Sequence, residues 1–362
     1  MRVALIHDWL TGLRGGEKVL EALCELFPQA TLFTMVHIPN STSDIIESHS
    51  IRTAFTQNLP AVKKIYRWYL PLYPWAVESL DLEGFDLILS SSHCVAKGAT
   101  PPAGAVHICY CHTPMRYVWD RFPDYFGNGI KARLFYGPIA GYLRRWDVAS
   151  ADRVHSFVAN SKHVAGRIHK YYGRETEAII YPPVDTDVFV PGDNEPEDFY
   201  LIVSALVPYK RLDLAIDAFR RRPEQLLIVG TGPEEKRLRE RAAPNVQFLG
   251  SLSQKELLPL YQRCQATLLP GVEDFGIAPV ESQACGRPVV AFAEGGALES
   301  VRDEETGVFF AERSWEALSD AIDRVSSLRS NRQTLRSWAL RFSRQRFKTE
   351  MKAFIDRKLA GQ

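Results

Sequence analysis

The chain has 362 residues, 46% of them hydrophobic and 24% charged, a length that supports two domains, each burying its own core. Its 44 basic and 43 acidic side chains leave a net charge of +1, which excludes the basic surface of a general nucleic-acid binder. Six cysteines without CxxC pairing exclude a disulfide scaffold, and no stretch approaches the roughly 20 apolar residues that cross a bilayer.

The opening MRVALIHDWLTG has an apolar run too short for a signal peptide, broken by His7 and Asp8. The expectation is a cytoplasmic protein. Short, nearly continuous apolar runs then recur at 3–6, 31–36, 87–89, 106–109, 154–159 and 178–180, as in strands buried on both faces. Between the first two, Val19, Leu20, Leu23, Leu26 and Phe27 mark one face of a helix over 17–27. The loop TGLRGGEKV before it carries Gly12, Gly15 and Gly16, which permit tight backbone turns.

Two stretches of this half mix bases with aromatics. KKIYRWYLPLYPW, 63–75, holds Lys63, Lys64, Arg67 and Trp68; the segment 131–146 holds Lys131, Arg133, Phe135, Arg144 and Arg145. Such a mixture suits the headgroup layer of an anionic membrane, so peripheral docking at its inner face is one expectation. A core helix with a solvated basic edge is the other. Cys109 and Cys111 share a strand face and read as a reduced buried pair. His107 and His112 are near them, but not at a zinc-ligand spacing.

PPVDTDVFVPGDNEPED, 182–198, can continue neither a helix nor a central strand and reads as a linker. A second strand series follows at 200–203, 226–229, 246–249, 266–269 and 288–292, with a helix over 212–219 after its first member. From about 331 the pattern is helical, with Arg341, Arg344, Arg346 and Lys348 as its solvated side. Strand-helix alternation predicts an α/β protein of two doubly wound parallel-sheet domains facing across a cleft. The boundaries are 1–181, a linker at 182–198, 199–345, and a last helix over 346–362 that crosses back to the first domain. Ligands of such sheets lie beyond the carboxyl ends of the strands, so the loops there are where chemistry is sought.

EDFGIAPVESQACGRPVVA, 273–291, follows the strand at 266–269. A helix starting near Gly276 offers free N–H groups to a phosphate. Glu281, just over one turn inside, can accept two hydrogen bonds, as the vicinal hydroxyls of a ribose require. SALVPYKRLDLAIDAF, 204–219, leads from a strand into a helix through Lys210 and Arg211. GTGPEE, 230–235, begins like a dinucleotide fingerprint, but its third glycine position is Glu235, which argues against NAD.

The 273–291 string resembles the E-x7-E signature of the retaining glycosyltransferases of family 4, group 1, which have the GT-B fold of two Rossmann-like domains. The likeness covers most of 1–310. It implies that Glu281 binds the ribose and that Glu273 contacts the donor sugar near the reacting centre. Backbone amides at Phe275, Gly276 and Ile277 would hold phosphate and sugar hydroxyls. In the diphosphate loop Lys210 matches the family's lysine, but the arginine position is Ala205; Arg211 is the neighbour that would replace its charge. Gly230 and Gly232, with Gly15 and Gly16, take the family's glycine positions near the donor, and His112 that of the histidine on the donor sugar. Asp185 and Asp187 form a DTD at a structural position of the family, not a metal site.

The resemblance therefore implies a metal-independent hexosyltransferase without a cofactor, its donor a nucleotide diphosphate sugar and its acceptor a saccharide or lipid-linked saccharide. The strings VSALVPYKRLDLAI and HTPMRYVWD are similar to bacterial O-antigen and exopolysaccharide mannosyltransferases, which implies GDP-mannose. Two alternatives stand beside this. One is a nucleotide-sugar epimerase on the same fold. The other is a catalytically silent nucleotide-sugar binder, to which the Ala205 departure gives weight.

Overall fold

A computed structural model describes residues 1–120, 130–193, 195–328 and 331–361, with side chains except those of 130–135. The chain divides into a unit of Met1–Pro183 with Phe347–Gln362, and a unit of Val184–Arg346.

In the first unit the strands are β1 (Val3–His7), β2 (Thr31–Thr34), β3 (Ser50–Thr53), β4 (Leu87–Ser92), β5 (Val106–Cys111), β6 (Ser156–Ala159) and β7 (Ala178–Ile179). They form one sheet in the order β3-β2-β1-β4-β5-β6-β7, all pairs parallel. Every residue of β1, β4 and β5 is buried, which is why these strands read as apolar runs and not as alternation. The chain builds β1 to β3 outward, then returns to place β4 on the other side of β1. Loops leaving β1 and β4 therefore diverge, opening a crevice at their carboxyl ends.

β3 is an edge strand with no fully buried residue, SIRT, and its polar surface is the reason the apolar-run criterion passes over it. The first helix, Gly15–Leu26, starts at the glycine pair, ahead of the Glu17 expected from periodicity. Glu17 sits in its first turn and accepts the Arg14 backbone N–H at 3.0 Å. Ser161 caps the helix Lys162–Tyr172 through the Val164 N–H at 3.0 Å.

The second unit contains β8 (Phe199–Val203), β9 (Gln225–Val229), β10 (Val246–Gly250), β11 (Thr267–Leu269), β12 (Val289–Phe292) and β13 (Gly307–Phe310). Their order is β10-β9-β8-β11-β12-β13, again all parallel, with the reversal between β8 and β11. β13, GVFF, is a short strand absent from the expected series. The helix Leu212–Phe219 falls where the 3.6-residue pattern puts it.

Residues 184–189 do not stand apart as a linker. Val184 and Phe189 are buried in the second unit, and Asp185 accepts from Gln254 at 2.6 Å and pairs with Arg344 at 3.0 Å. Arg344 is thus not part of a solvated basic face. Nor is Lys348, whose ammonium lies 3.0 Å from Glu25. The tail forms two helices, Arg332–Leu340 and Arg344–Ala360. The second of these buries Phe347, Met351, Phe354 and Ile355 in the first unit's core with Leu5, Leu89 and Tyr110.

Candidate active site

In the second unit two loops leave the strands that flank the reversal. The loop after β8 ends in a short turn, Pro208–Lys210, and the loop after β11 carries Glu273. Glycine lets them touch: a Cβ on Gly271 would lie 2.6 Å from both the Lys210 Cα and the Tyr209 carbonyl oxygen. The result is an ion pair between Lys210 Nζ and Glu273 Oε1, with the side chains only 12% and 16% exposed. Glu273 is held from its other side by Gly296, whose N–H donates to its carbonyl at 2.8 Å. A Cβ on Gly296 would lie 2.2 Å from the Phe275 Cα, so only glycine there lets the two loops close on each other. Gly230 and Gly232 likewise lie against the backbone of Ser204 and Leu206, where the Leu206 N–H donates to Thr231 at 3.0 Å.

Gly276, at φ 90°, ends this loop and starts the helix Ile277–Ala284 without a side-chain cap. The first N–H groups of such a helix have no intrahelical partner and form the positive end of its dipole. Phe275 turns its ring inward onto Phe342, centroids 5.4 Å apart, so this stretch offers backbone and not an aromatic face. Glu281 projects from the helix and accepts the Tyr261 hydroxyl at 2.8 Å. Burial, then the Glu281 charge, push the Tyr261 hydroxyl well above its ordinary pKa, so it stays a donor that fixes the carboxylate. Arg211 is spent locally. Its backbone is left-handed at φ 52°, and its guanidinium grips Asp213 at 2.9 and 3.0 Å. Ala205 is exposed and adds no charge.

The first unit gathers a polar cluster at the ends of β1, β4 and β5. His112 Nε2 lies 2.8 Å from Ser91 Oγ, which lies 3.1 Å from His7 Nδ1. Burial, then the neighbouring His93 and His7, push His112 well below its ordinary pKa, so it is a neutral imidazole. A Cβ on Gly16 would come 3.6 Å from His7 and 3.8 Å from His112, so this glycine forms the wall beside both rings. Asp8, His93, Ser91 and His7 were not singled out by sequence reasoning. The available signal was two strands ending in polar residues, IHD at β1 and SSSH at β4.

Elsewhere, Val62, Tyr66, Leu70 and Tyr73 point inward from the segment 62–78, while Lys63, Lys64, Arg67 and Trp68 are exposed. Arg144 turns onto the Val118 carbonyl at 2.6 Å and over the Trp119 ring, so it is a fastening within the unit and not a surface charge. Arg145 is exposed. The side chains of Lys131, Arg133 and Phe135 lie outside the described residues. Cys109 and Cys111 are free thiols in the core, and burial pushes the Cys111 thiol far up. Among the described residues no three His, Cys, Asp or Glu side chains are arranged to hold a metal ion.

The family described as "Glycosyl transferases group 1" matches residues 184–340, and "Glycosyltransferase Family 4" matches 13–188. The chain is a glycosyltransferase that carries a family 4 domain followed by a group 1 domain, each matched over just under half of its length.

Among curated relatives, D-inositol 3-phosphate glycosyltransferase of Mycobacteroides abscessus is 30% identical over 48% of this chain and 44% of its own. The enzyme of that name from Mycobacterium tuberculosis is 31% identical over 50% and 42%. The match therefore spans less than half the length of these relatives. An uncharacterised glycosyltransferase of Methanocaldococcus jannaschii is 24% identical over 84% of each chain. Sucrose-phosphate synthase of Thermosynechococcus elongatus superposes with a TM-score of 0.76 at 18% identity over the full length of both chains. HepE of Anabaena, solved with UDP-glucose, gives 0.71 at 17% identity over 98% of this chain and all of its own. These superpositions assign the GT-B fold. No helix of the described residues is long and apolar enough to cross a membrane.

Proposed function

We propose that this family 4 glycosyltransferase moves a hexose, mannose from GDP-mannose in the first instance, onto a saccharide or lipid-linked saccharide with retention at the anomeric carbon. The observation that carries the reading is the junction of Lys210, Glu273 and the uncapped helix start at Gly276 on adjoining loops at a strand reversal. A nucleoside diphosphate leaves with developing negative charge. An ammonium already positioned in a poorly hydrated loop stabilises it without reorganisation. In the ligand-free chain Glu273 supplies that ammonium's counter-charge; an arriving diphosphate takes over the role, and Glu273 is released toward the sugar. Glu281, steadied by Tyr261, accepts the ribose hydroxyls. His112 and Gly16 are the residues that the family likeness assigns to the donor sugar and phosphate.

No divalent cation is needed in this reading, because Lys210 and the helix start supply the positive charge. Undiminished turnover in excess chelator is the expected result. For the acceptor, the names of the inositol phosphate relatives suggest a phosphorylated cyclitol as the competitor to a saccharide. A membrane-held acceptor is favoured by the segment 62–78, which exposes Ile65, Trp68, Leu72 and Trp75 at helical spacing beside Lys63, Lys64 and Arg67.

Calorimetric titration with GDP, UDP and ADP, followed by release of nucleoside diphosphate from the matching sugars, tests the whole. Preferential binding of GDP with slow hydrolysis of GDP-mannose supports it. Binding of UDP alone removes the mannose assignment. Binding without turnover on any sugar or acceptor leaves a silent binder.

A further inference from the structure

The two glutamates of the second unit's site are held by different partners. Glu273 meets the Lys210 ammonium, whereas Glu281 Oε2 accepts the neutral hydroxyl of Tyr261 at 2.8 Å. A phenol orients a carboxylate without neutralising it, so the carboxylate keeps its strength as an acceptor. The family likeness assigns neither Tyr261 nor the side chain behind it. That side chain is Phe189, whose ring meets the Tyr261 ring edge-on at 90°, centroids 5.5 Å apart.

Both rings are fully buried. Tyr261 sits in the last turn of the helix Gln254–Arg263, and the residue after it is fastened twice. The Gln262 carbonyl accepts Arg287 Nε at 2.7 Å, and the Gln262 amide donates to the Val190 carbonyl at 2.8 Å. Phe189 is fastened through its own carbonyl, which accepts the Arg336 guanidinium at 2.5 Å. The same guanidinium reaches the Ala284 carbonyl at 3.3 Å, at the end of the helix that carries Glu281. The Tyr261 hydroxyl is therefore fixed in space. Glu281 is of another kind: half-buried, its carboxylate at the end of three rotatable bonds. The fixed group aims the movable one before any ligand arrives.

We propose that Tyr261, braced by Phe189, is the positioning residue that makes this site select ribose over deoxyribose, by fixing the plane of the Glu281 carboxylate so that both vicinal hydroxyls bond at once. The proposal rests on the reading above that Glu281 takes the ribose of a nucleoside diphosphate. A carboxylate free to turn meets one hydroxyl at a time and loses its rotamer freedom only as the ligand binds. One that is already aimed has no such loss left to make, and the gain appears only with a ligand that carries the hydroxyls. The segment 184–190 thereby has a second duty. Expected as a linker, it stands behind the ribose contact and holds it still. Every group in this chain of contacts lies within the unit Val184–Arg346.

The dependence on ligand hydroxyls supplies the test. Calorimetric Kd values of GDP, UDP and ADP, and of their 2′,3′-dideoxy counterparts, are compared for wild type, Tyr261→Phe, Phe189→Leu and Lys210→Met. Wild type is expected to bind the preferred ribonucleotide about 10-fold or more tighter than its dideoxy form, the scale of hydrogen bonds to a charged acceptor. Tyr261→Phe, which removes one oxygen and keeps the ring, is expected to lose about 5- to 10-fold on the ribonucleotide and to stay within about twofold on the dideoxy form. Phe189→Leu keeps the hydroxyl but loosens its ring, and about a 3-fold loss is expected, again on the ribonucleotide alone. Lys210→Met, acting at the diphosphate, should weaken both forms alike and serves as the contrast. A mere packing defect cannot tell the two nucleotides apart. Equal losses on both forms in Tyr261→Phe or Phe189→Leu therefore overturn the proposal, as does an unchanged ribonucleotide Kd in either. Should Phe189→Leu not fold, Tyr261→Phe decides by itself. A wild type that binds ribonucleotide and dideoxy form equally removes the ribose role of Glu281 and this proposal with it. One that binds none of the three nucleotides brings down the transferase reading as well. A wild type that discriminates, with variants that lose nothing or lose both forms equally, brings down the proposal alone.

Discussion

Glu281 and Glu273 lie eight residues apart and make different contacts, so their loss should separate binding from turnover. Glu281→Ala is expected to weaken nucleotide binding by roughly 10- to 100-fold, the worth of charge-assisted hydrogen bonds to a ribose. Glu281→Gln, which keeps an acceptor for the Tyr261 hydroxyl, controls for the orphaned buried donor. Glu273→Ala should lower kcat more than it changes nucleotide Kd, and calorimetry beside initial rates distinguishes the two. The types at 210, 273 and 281 were legible as chemistry in the sequence, because a strand-loop-helix pattern places them at strand ends. Arg211 was not: its proximity to Lys210 suggested a shared phosphate, but the left-handed turn hands its guanidinium to Asp213. His112 keeps its place at the end of β5, with Ser91 as a partner that no spacing announces.

Residue chemistry also sets a pH response. Burial lowers His107 from 6.5 to about 3, against the single support of the Arg153 carbonyl. Between these values the unfolded chain binds a proton that the folded chain refuses. Stability from this group is therefore whole above about pH 6.5 and falls as pH drops toward 3, at about 1.4 kcal/mol for each pH unit. At pH 5 the loss is about 2 kcal/mol relative to pH 7. Urea unfolding of His107→Gln at both pH values should show a drop smaller by roughly that amount.

At the scale of elements, the carboxyl end of β4 is fastened to the long helix Ile130–Ala149 by charge. Lys97 and Asp147, 1% and 0% exposed, pair at 3.0 Å, and Asp147 also accepts from Trp119 and Tyr172 at 2.8 and 3.0 Å. Lys97→Met fills the space but strands a buried carboxylate, so about 3–5 kcal/mol of stability should be lost in denaturant titration. The segment 62–78 belongs to the same scale. Its inward stripe is core, while its outward stripe of Ile65, Trp68, Leu72 and Trp75 is exposed, with Trp75 leaning on the Phe55 ring, centroids 4.8 Å apart. Trp68→Ala with Trp75→Ala should abolish flotation with anionic liposomes and leave nucleotide Kd untouched. Flotation equal to wild type would remove the membrane contact. The apolar-run criterion located most strands because parallel strands are buried on both faces; it passed over β3, an edge, and β13, only four residues long.

For the whole molecule, the two units are separate sheets, each with its own core, yet the chain closes the first only with its last residues. Phe347 is fully buried against Tyr110, ring centroids 5.5 Å apart, so Phe347→Ala should cost the first unit about 3–5 kcal/mol. Calorimetry that resolves the units should show that transition move while the second unit's stays in place. Local order carries the doubly wound alternation, the strand-end loops and the acidic pair with its lysine, since each depends on neighbours a few residues away. Contacts between distant stretches are of another kind. Asp8 finds His93 across 85 residues, Lys210 finds Glu273 across 63, and the tail finds Tyr110 only once the sheet exists. Periodicity reports which side of an element is buried. Which buried or polar groups then become partners is settled by strand order and loop closure, and those exist only in three dimensions.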